Sequence, residues 1–226
     1  MFYYSEMRFD IITIFPDIFE SYFNESIIGK GIKKKLFSIK THDLRRFSRD
    51  KHKKTDDRPY GGGAGMVLSA LPVLRAVENI VKNSKKVAPK KQKLVLLSAK
   101  GKQFTQKTAV NWVRNFENII FISGRYEGTD ERIKKVLKAD EVSIGSYVLT
   151  DGDVAVMAII SSLIRLIPGV INPESLKEES YQGGLEYPHY TRPEVLEWKG
   201  KKHKVPAVLL SGNHKKIESW HKKQSK

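Results

Sequence analysis

The sequence contains no cysteine in 226 residues and no long uninterrupted hydrophobic run. The absence of cysteine excludes disulfide bonds, thiol catalysis and zinc sites built from thiolates, and it fits a reducing cytosol. The longest apolar stretch, residues 154–167, includes two serines and Arg165 and is shorter than the roughly 20 residues of a membrane span. The amino terminus lacks the basic-then-apolar pattern of a secretory signal. We therefore expect a cytoplasmic protein without a membrane span.

Acidic side chains are scarce relative to basic ones. Lys and Arg number 41 against 25 Asp and Glu, which gives a formal net charge of +16. Residues 45–58 concentrate the excess, with seven Lys or Arg against three Asp. Such a balance indicates a polyanionic partner, most often a nucleic acid. On charge alone, a lysine-rich surface that serves only solvation is the alternative.

Near-continuous apolar runs alternate with helical patterns through the middle of the chain. The runs are "KLVLLSA", "NIIFISG" and "EVSIG". Strands buried on both faces have this composition, so the pattern predicts an α/β fold with a parallel sheet covered on both sides. Residues 8–15 predict a further strand that ends at Pro16, and residues 36–39 a weaker one. The predicted helices start at the caps Asp17 and Thr129 and otherwise cover residues 70–81, 104–113 and 153–167.

The composition changes after residues 172–180, where we place a domain boundary. The segment that follows is polar and rich in proline, and it ends in a predicted helix whose cap is Ser211 or Asn213. The predicted organisation is a domain over residues 1–171, a linker over 172–180 and a small, mainly helical domain over 181–226.

The glycine-rich stretch "YGGGAGM", residues 60–66, matches neither common nucleotide-binding fingerprint. Met66 stands where GxGxxG requires glycine, and GxxxxGK[ST] does not occur in the chain. Two interpretations stay open for Gly61, Gly62 and Gly63. They form either a flexible loop or, beside Arg58, a backbone surface that approaches RNA phosphates.

Three other glycine-containing loops follow the three apolar runs, at residues 98–101, 124–128 and 144–149. The carboxyl ends of parallel strands are where α/β proteins bind ligands. A single loop of this kind is explained by tight turns at Gly124 and Gly128 and by an Arg125–Glu127 ion pair. Three in succession predict a pocket for a small ligand with an adenine-sized ring.

Arg165 interrupts the predicted apolar helix over residues 153–167. A charge buried in such a helix must be paired or must face a site, because its desolvation is costly. A buried ion pair and a functional role both stay open. No spacing of His, Asp and Glu resembles a metal cage, so no metal ligand is predicted.

Eight segments together resemble one family, the bacterial tRNA (guanine-N1)-methyltransferases, TrmD. In family order they are "IFPDIF", "DDRPYGGGAGM", "LLSAKG", "GRYEGTDER", "SIGSYVL", "RLIPGV", "PHYTRPEV" and "VLLSGNH". The resemblance implies a SPOUT-type parallel sheet, tied in a deep trefoil knot that binds S-adenosylmethionine. General topology rules predict against a knot, because true knots are nearly absent from proteins.

The resemblance implies transfer of a methyl group from S-adenosylmethionine to N1 of the guanine immediately 3′ of the anticodon in tRNA, position 37. It also implies an obligate homodimer whose active site joins the knot of one chain to the carboxyl-terminal part of the other, and it implies Mg²⁺. The cofactor-binding residues that it implies are Leu97, Ser98, Gly124, Arg125, Tyr126, Glu127, Gly128, Ser143, Ile144, Gly145, Tyr147 and Leu149.

Methylation of guanine N1 requires removal of a weakly acidic proton and stabilisation of negative charge on O6. The resemblance assigns the base to an aspartate that precedes a serine and an aromatic residue, and alignment on Ser180 places Glu179 there. Glutamate is a departure at this position, with Glu178 as an outside alternative. Arg165 matches the family's arginine and takes the O6 role.

The resemblance also identifies candidate RNA contacts and several departures. Three departures lie at the pocket rim. This chain has Ala99-Lys100 where the family usually has Pro-Gln, and Ser146 where an aspartate is common. It has Asp151-Gly152-Asp153 where the family usually has Gly-Gly-Glu. The family's carboxyl-terminal domain normally extends further, so we expect a shortened tRNA-binding domain. RNA binding then relies more on the nine lysines from Lys199 onward and on residues 45–58. The candidate RNA contacts are Arg58, Gly61, Gly62, Gly63, His189, Tyr190, Arg192, Ser211, Asn213 and His214.

Two other functions fit the same residues. One is a catalytically impaired RNA-binding relative, which the changes at Glu179 and Asp151 and the shortened carboxyl terminus make plausible. The other is a SPOUT methyltransferase acting on another RNA base or on a ribose 2′-OH. Binding of S-adenosylmethionine distinguishes the first, and the identity of the methylated atom distinguishes the second.

Overall fold

The computed structural model describes residues 7–84, 87–176 and 186–225. The chain forms two compact units, Met1–Ile171 and Asn172–Lys226. The predicted general base Glu179 and its alternative Glu178 lie outside the described residues, as does the second part of the predicted linker, residues 177–180.

A five-stranded parallel sheet forms the centre of the first unit. Its strands are β1 (Met7–Thr13), β2 (Phe37–Asp43), β5 (Gln92–Gln103), β6 (Asn118–Ile122) and β7 (Asp140–Ser143). They run in the order β2-β1-β6-β5-β7, and every neighbouring pair is parallel. Two-residue strands β3 (Asp56–Asp57) and β4 (Val67–Leu68) form a separate antiparallel pair. The predicted parallel α/β architecture is therefore confirmed.

Helices cover both faces of the sheet, as the continuous apolar strands predict. They are α1 (Glu20–Phe23), α2 (Ser26–Lys33), α3 (Ala70–Asn83), α4 (Gln106–Asn115), α5 (Glu131–Leu137) and α6 (Asp153–Ile164). One core layer includes Phe9 of β1 and Ile159 of α6, and the opposite layer includes Ile12 of β1 and Val77 of α3. Alternate residues of β1 thus enter different core layers, which fixes the strand's register.

Helix α5 begins one residue later than the sequence predicts. Asp130, and not Thr129, is its N-cap, because the Asp130 carboxylate accepts a hydrogen bond from the backbone amide of Arg132 at 2.9 Å. The same carboxylate pairs with the Arg132 guanidinium. That pairing holds the pKa of Asp130 below its usual value.

The expectation that Arg165 lies inside an apolar helix is wrong. Helix α6 ends at Ile164, and Arg165 is its exposed C-cap residue. The amides of Leu166 and Ile167 bond to carbonyls three residues back, at 3.0 Å each, so the last turn tightens before Pro168. Arg165 therefore reaches the surface of the chain, and burial does not desolvate its charge.

A fully buried carboxylate, Asp10, lies in the middle of β1. Its oxygens lie 2.7 Å from Arg8 Nε and 2.6 Å from His42 Nε2 on the neighbouring strand. Burial opposes ionisation of Asp10, but the hydrogen bonds from His42 and Arg8 outweigh it and lower the carboxyl pKa. The folded state therefore binds the Asp10 proton less tightly than the unfolded chain does.

This arrangement predicts an acid-dependent loss of stability. Because the folded pKa of Asp10 lies below the unfolded value near 3.8, its contribution is complete above about pH 5 and is lost as pH falls through the folded pKa. Urea unfolding between about pH 3 and 6 should show the free energy of unfolding falling toward the acid end. Asp10→Asn should flatten this dependence, and exposed Asp17→Asn should leave it as in the parent. Equal slopes in all three proteins would contradict the assignment.

The second unit contains a β-hairpin as well as helices. Its elements are β8 (Val195–Trp198), β9 (Lys201–Lys204), α7 (Ala207–Leu210) and α8 (His214–Gln224). Of the two predicted caps of the last helix, Asn213 is the one observed, because its side chain accepts the amide of Lys216 at 3.1 Å. The hairpin has no counterpart in the prediction of a mainly helical domain. No helix in the described part of the chain is long and apolar enough to cross a membrane.

Candidate functional site

A cavity of about 430 Å³ opens at the carboxyl edge of the sheet. It lies where β6, β5 and β7 end side by side, which is the position that the three glycine-containing segments predict. One detail differs. Residues 98–101 form an irregular part of β5, whose register against β7 shifts between Leu97 and Lys102, and not a separate loop after the strand. The bulge redirects the backbone toward the cavity.

Most of the predicted cofactor residues line this cavity. They are Leu97, Ser98, Gly124, Arg125, Tyr126, Glu127, Gly128, Ser143, Ile144, Tyr147 and Leu149. Gly145 does not line it. The glycine instead makes room for the Tyr147 ring, since a Cβ there would lie 2.3 Å from a ring carbon.

Ten further residues outside the predicted cofactor-binding set line the cavity, although the sequence already places those at positions 99, 100, 151 and 152 at the pocket rim. They are Ala99, Lys100, Thr129, Glu141, Val142, Val148, Thr150, Asp151, Gly152 and Ala155. All are close sequence neighbours of predicted positions, so wider windows around the three segments would have included them.

The loop after β6 and the start of α6 touch through their backbones. The amide of Gly152 donates to the carbonyl of Gly124 at 2.8 Å. A Cβ on Gly152 would lie 2.8 Å from the Gly124 nitrogen and 3.0 Å from Ser123 Oγ. Only glycine fits this crossing without moving one of the two chain segments.

Arg125 connects the same two segments through its side chain. Its Nη2 lies 3.2 Å from Asp151 and 3.5 Å from Asp153, and its guanidinium packs 4.2 Å from the ring centroid of Phe15. The alternative Arg125–Glu127 ion pair is therefore not what this side chain forms. Because the guanidinium is largely enclosed by these groups, it is fixed at the wall of the cavity.

The two aspartates also stabilise the start of α6. Asp151 Oδ1 accepts the backbone amide of Asp153 at 2.9 Å, as a helix-capping side chain does. Asp153 is fully buried and accepts a hydrogen bond from Thr13 Oγ1 at 2.9 Å. The departure from Gly-Gly-Glu thus forms a local network among β1, the loop after β6 and α6.

Carboxylates are prominent in the cavity lining, with Glu127, Glu141 and Asp151. Glu141 is the best defined of them, because Lys134 Nζ lies 2.6 Å and Lys100 Nζ 3.7 Å from its carboxylate oxygens. Burial opposes ionisation of Glu141, but hydrogen bonds from Lys134 and Ser98 outweigh it and lower the pKa. Glu141 is therefore ionised and is held between the two lysines at the wall of the cavity.

The glycine-rich stretch packs against the loop after β6. The amide of Glu127 donates to the carbonyl of Met66 at 3.1 Å, and the amide of Leu68 donates to that of Gly128 at 3.0 Å. Gly65 lies so close to Glu127 that a Cβ would meet its Cγ at 2.6 Å. The exposed tip, residues 58–63, is thereby held near the cavity with its glycines at positive φ.

Arg165 is not brought to this cavity. The cavity ends at Ala155 of α6, and ten residues at a rise of 1.5 Å place Arg165 about 15 Å further along the helix. An arginine side chain cannot cover that distance. The predicted catalytic cation and the predicted cofactor pocket of one chain are therefore separate.

The remaining RNA-contact candidates lie in the second unit. His189, Tyr190 and Arg192 are exposed in the segment before the hairpin. Ser211 and Asn213 have structural roles, because both side chains form hydrogen bonds within the turn before α8, where His214 is the first residue. No group of three or more His, Asp or Glu side chains able to hold a metal ion occurs among the residues that the structure describes.

This fold and cavity define an α/β protein with a cavity of small-molecule size at the carboxyl edge of a parallel sheet. Residues 7–226 match the family model tRNA (Guanine-1)-methyltransferase TrmD, and the chain belongs to this family.

Curated relatives support the assignment. The chain is 47% identical to a tRNA (guanine-N(1)-)-methyltransferase of Shouchella clausii over 97% of its own length and 86% of the relative's. It is 46% identical to the enzyme of that name from Clostridioides difficile, over 97% of the chain and 92% of the relative. It is 45% identical to the enzyme of that name from Thermomicrobium roseum, over 95% of the chain and 77% of the relative.

Proposed function

We propose that the protein transfers a methyl group from S-adenosylmethionine to N1 of the guanine at position 37 of tRNA, immediately 3′ of the anticodon. The observation that carries this proposal is 45–47% identity over nearly the whole chain to relatives named for methylation of guanine N1 in tRNA. The large basic excess suits a tRNA substrate.

The cavity suits S-adenosylmethionine in size and charge. Its volume lies within the range of about 300–1,000 Å³ that is typical of small-molecule sites. When bound, the cofactor supplies a methyl group on a sulfonium cation. Three carboxylates and two cations, Lys100 and Arg125, line the cavity, so the lining carries one more negative than positive charge. Gly128 lines the cavity, and a Cβ added there would meet nothing within 4 Å, so its bare backbone allows close approach of a flat ring. We propose that the lining residues bind and orient the cofactor.

Two residues of this chain perform the proton and charge chemistry in the proposed reaction. The carboxylate of Glu179 accepts the N1 proton of guanine as N1 attacks the methyl group. The guanidinium of Arg165 donates hydrogen bonds to O6 and stabilises the negative charge that develops there. Magnesium, which the family implies, enters no step that we derive from the described residues.

We propose that the active enzyme is a homodimer in which Arg165 serves the pocket of a second copy. The separation of about 15 Å along α6 between Ala155, at the cavity, and Arg165 supports this arrangement. The surface formed by residues 16–23 and α6 carries apolar side chains that are half exposed in the single chain, among them Ile18, Tyr22 and Val154. Tyr22 Oη also bonds to Ser161 Oγ at 3.0 Å, so α1 and α6 form one continuous surface for a partner.

We also propose the SPOUT knot and the division of labour between the units. The backbone contact of Gly152 with Gly124 supports threading of the chain beside the loop after β6. In this arrangement residues 1–171 bind the cofactor, residues 172–180 link the domains, and residues 181–226 form the tRNA-binding domain.

A methyl-transfer assay tests the proposed function directly. Purified protein is incubated with labelled S-adenosylmethionine and a tRNA transcript carrying guanine 3′ of the anticodon, and with the same transcript carrying adenine. We expect 1-methylguanosine in the digested first transcript and no label in the second. Cofactor binding without transfer would instead indicate the impaired RNA-binding relative. Label on another atom would indicate a different SPOUT specificity.

Arg165→Ala should lower single-turnover methyl transfer by about 10²–10³-fold, because the charge on O6 loses its donor. Cofactor affinity, measured by calorimetry, should stay within about twofold, since the proposed contact of Arg165 is O6 of the guanine and not the cofactor. Arg114→Ala removes an exposed arginine from the last turn of α4 and is the matched control. Parent-like turnover of Arg165→Ala would remove the residue from this role.

Subunit mixing tests the shared site. A chain with Arg165→Ala combined with a chain whose cofactor binding is weakened by Gly152→Ala should regain activity at limiting cofactor, because the mixed dimer contains one intact site. Absence of recovery in verified mixed dimers would mean that each chain uses its own Arg165.

A further inference from the structure

The hairpin β8–β9 of the second unit presents a tryptophan on an exposed basic surface. Lys199 and Gly200 form its two-residue turn, both at positive φ as a type I′ turn requires. Trp198 and Lys201 face each other across the strands beside this turn, and Leu196 and His203 form the next pair on the same face. Trp198 is 65% exposed and Leu196 53%.

This hairpin buries none of its strand residues. All eight residues of Val195–Trp198 and Lys201–Lys204 are exposed. An isolated two-stranded hairpin is marginally stable in water, and a large exposed indole adds an unfavourable apolar surface. By contrast Trp220 of α8 is partly covered and lies beside His221 and Tyr190. The hairpin therefore has the properties of a surface that is completed by a ligand.

The charge of the hairpin indicates what kind of ligand this is. Four lysines occur in the six residues from Lys199 to Lys204. Glu197 is the only acidic residue of the hairpin sequence, and it pairs with Lys202 at 3.0 Å on the opposite face from Trp198. Lysine is depleted at the centre of protein–protein interfaces, so a protein partner fits poorly. An exposed aromatic ring among cations is the arrangement that proteins use for unpaired nucleotides.

We infer that the β8–β9 hairpin binds an unpaired nucleotide of RNA, with a base stacked on Trp198 and phosphates held by Lys201 and its neighbouring lysines. This inference rests on the proposed function for its substrate, a tRNA, and adds a base-stacking contact to the phosphate contacts that the lysines alone would provide. Paired bases are already stacked on each other, so the site selects loops or single-stranded ends over duplex.

Binding of the full-length protein to unmodified tRNA without methyl donor tests the inference. Trp198→Ala should weaken binding by about 5- to 150-fold, the loss expected for one stacked base, with little change in the salt dependence. Lys201→Ala should lower the slope of log K against log salt by about 0.7–0.9. Trp198→Phe should retain most of the affinity, whereas Trp198→Leu, which keeps an apolar side chain without a ring system, should not. Thermal melts verify that all variants are folded.

Fluorescence identifies the tryptophan involved. RNA should quench the parent protein more than Trp198→Phe, and a short blunt RNA duplex should bind more weakly than an anticodon stem-loop. Parent-like affinity of Trp198→Ala, or equal affinity of the Leu and Phe variants, would overturn the inference. A different result would also overturn it: the parent protein binds vesicles of anionic lipid, and Trp198→Ala abolishes this binding but leaves tRNA binding unchanged. Methyl transfer is not needed for these measurements, so a protein that stacks RNA without methylating it would refute the proposed function alone.

Discussion

Replacing Glu179 by glutamine is expected to lower single-turnover methylation of tRNA by about 10²–10⁴-fold, the usual contribution of a positioned base. The amide has nearly the same shape as the carboxylate but cannot accept the N1 proton. Binding of tRNA and of S-adenosylmethionine should persist, because the substitution removes no side-chain volume. Rapid mixing of preformed enzyme–tRNA complex with labelled cofactor measures the chemical step.

Two matched variants make this result specific. Glu178→Gln changes the neighbouring carboxylate in the same way and should retain parent turnover. Glu179→Asp introduces the family's aspartate. It should retain far more activity than the glutamine variant, although the shorter side chain places the carboxylate farther from the N1 proton. Unchanged turnover of Glu179→Gln together with loss in Glu178→Gln would move the general base to Glu178.

The pH dependence supplies a second readout for the base. If a carboxylate accepts the N1 proton, the parent rate should fall on the acid side with the ionisation of that group. The residual rate of Glu179→Gln should lack this acid limb. A purely structural defect would lower the rate at every pH and leave the shape of the profile intact.

The sheet was predictable because its signal is local and strong. β6, Asn118–Ile122, is buried at every position, and only a run without polar alternation can occupy such a strand. The same logic placed the three cavity segments at one edge, since parallel strands end together. The strand order, with β6 between β1 and β5, had no local signal and came only from the structure.

Helix ends were harder to predict, because they depend on competing hydrogen bonds. Thr129 and Asp130 are adjacent residues that can both cap a helix. Asp130 is the cap that forms, because its carboxylate also pairs with Arg132. Hydrophobicity extended the predicted α6 to residue 167. The observed helix stops at Ile164 because the backbone tightens ahead of Pro168, which exposes Arg165.

The hairpin escaped prediction because its strands bury no face. Leu196 and Trp198 alternate with charged residues, but the alternation is short and the chain around it is rich in lysine. Lys199-Gly200 is a weaker turn signal than Asn-Gly or Asp-Gly. Composition alone therefore indicated a polar connection before the final helix.

The residues Asp151-Gly152-Asp153 appeared in the sequence only as a departure at the pocket rim. In the structure the two aspartates receive Arg125, Thr13 and the first amides of α6. Sequence reasoning could not pair Arg125 with Asp151, because these residues are 26 positions apart and meet only through the sheet topology. Gly152 between them must be glycine because the backbone of Gly124 lies against it.

Gly152→Ala is accordingly expected to abolish most binding of S-adenosylmethionine. The new methyl group would lie 2.8 Å from the Gly124 nitrogen, and backbone at that position cannot rotate away as a side chain can. The loop after β6 and the start of α6 must separate, which costs about 1–3 kcal/mol as an overpacked contact. Because both segments line the cavity, we expect calorimetry to show at least about tenfold weaker cofactor binding.

Gly212→Ala provides the control for this experiment. Gly212 lies in the second unit at φ +65°, and a Cβ added there would meet open space, so alanine adds backbone strain without a steric contact. It should cost about 1 kcal/mol of stability, as glycine replacement at positive φ generally does, and leave cofactor affinity at the parent value. Cofactor affinity within twofold of the parent for Gly152→Ala would show that the Gly124–Gly152 crossing does not shape the pocket. If cofactor affinity falls in Gly152→Ala and not in Gly212→Ala, the loss comes from the pocket and not from general destabilisation. Both variants add the same methyl group to a glycine of the same chain.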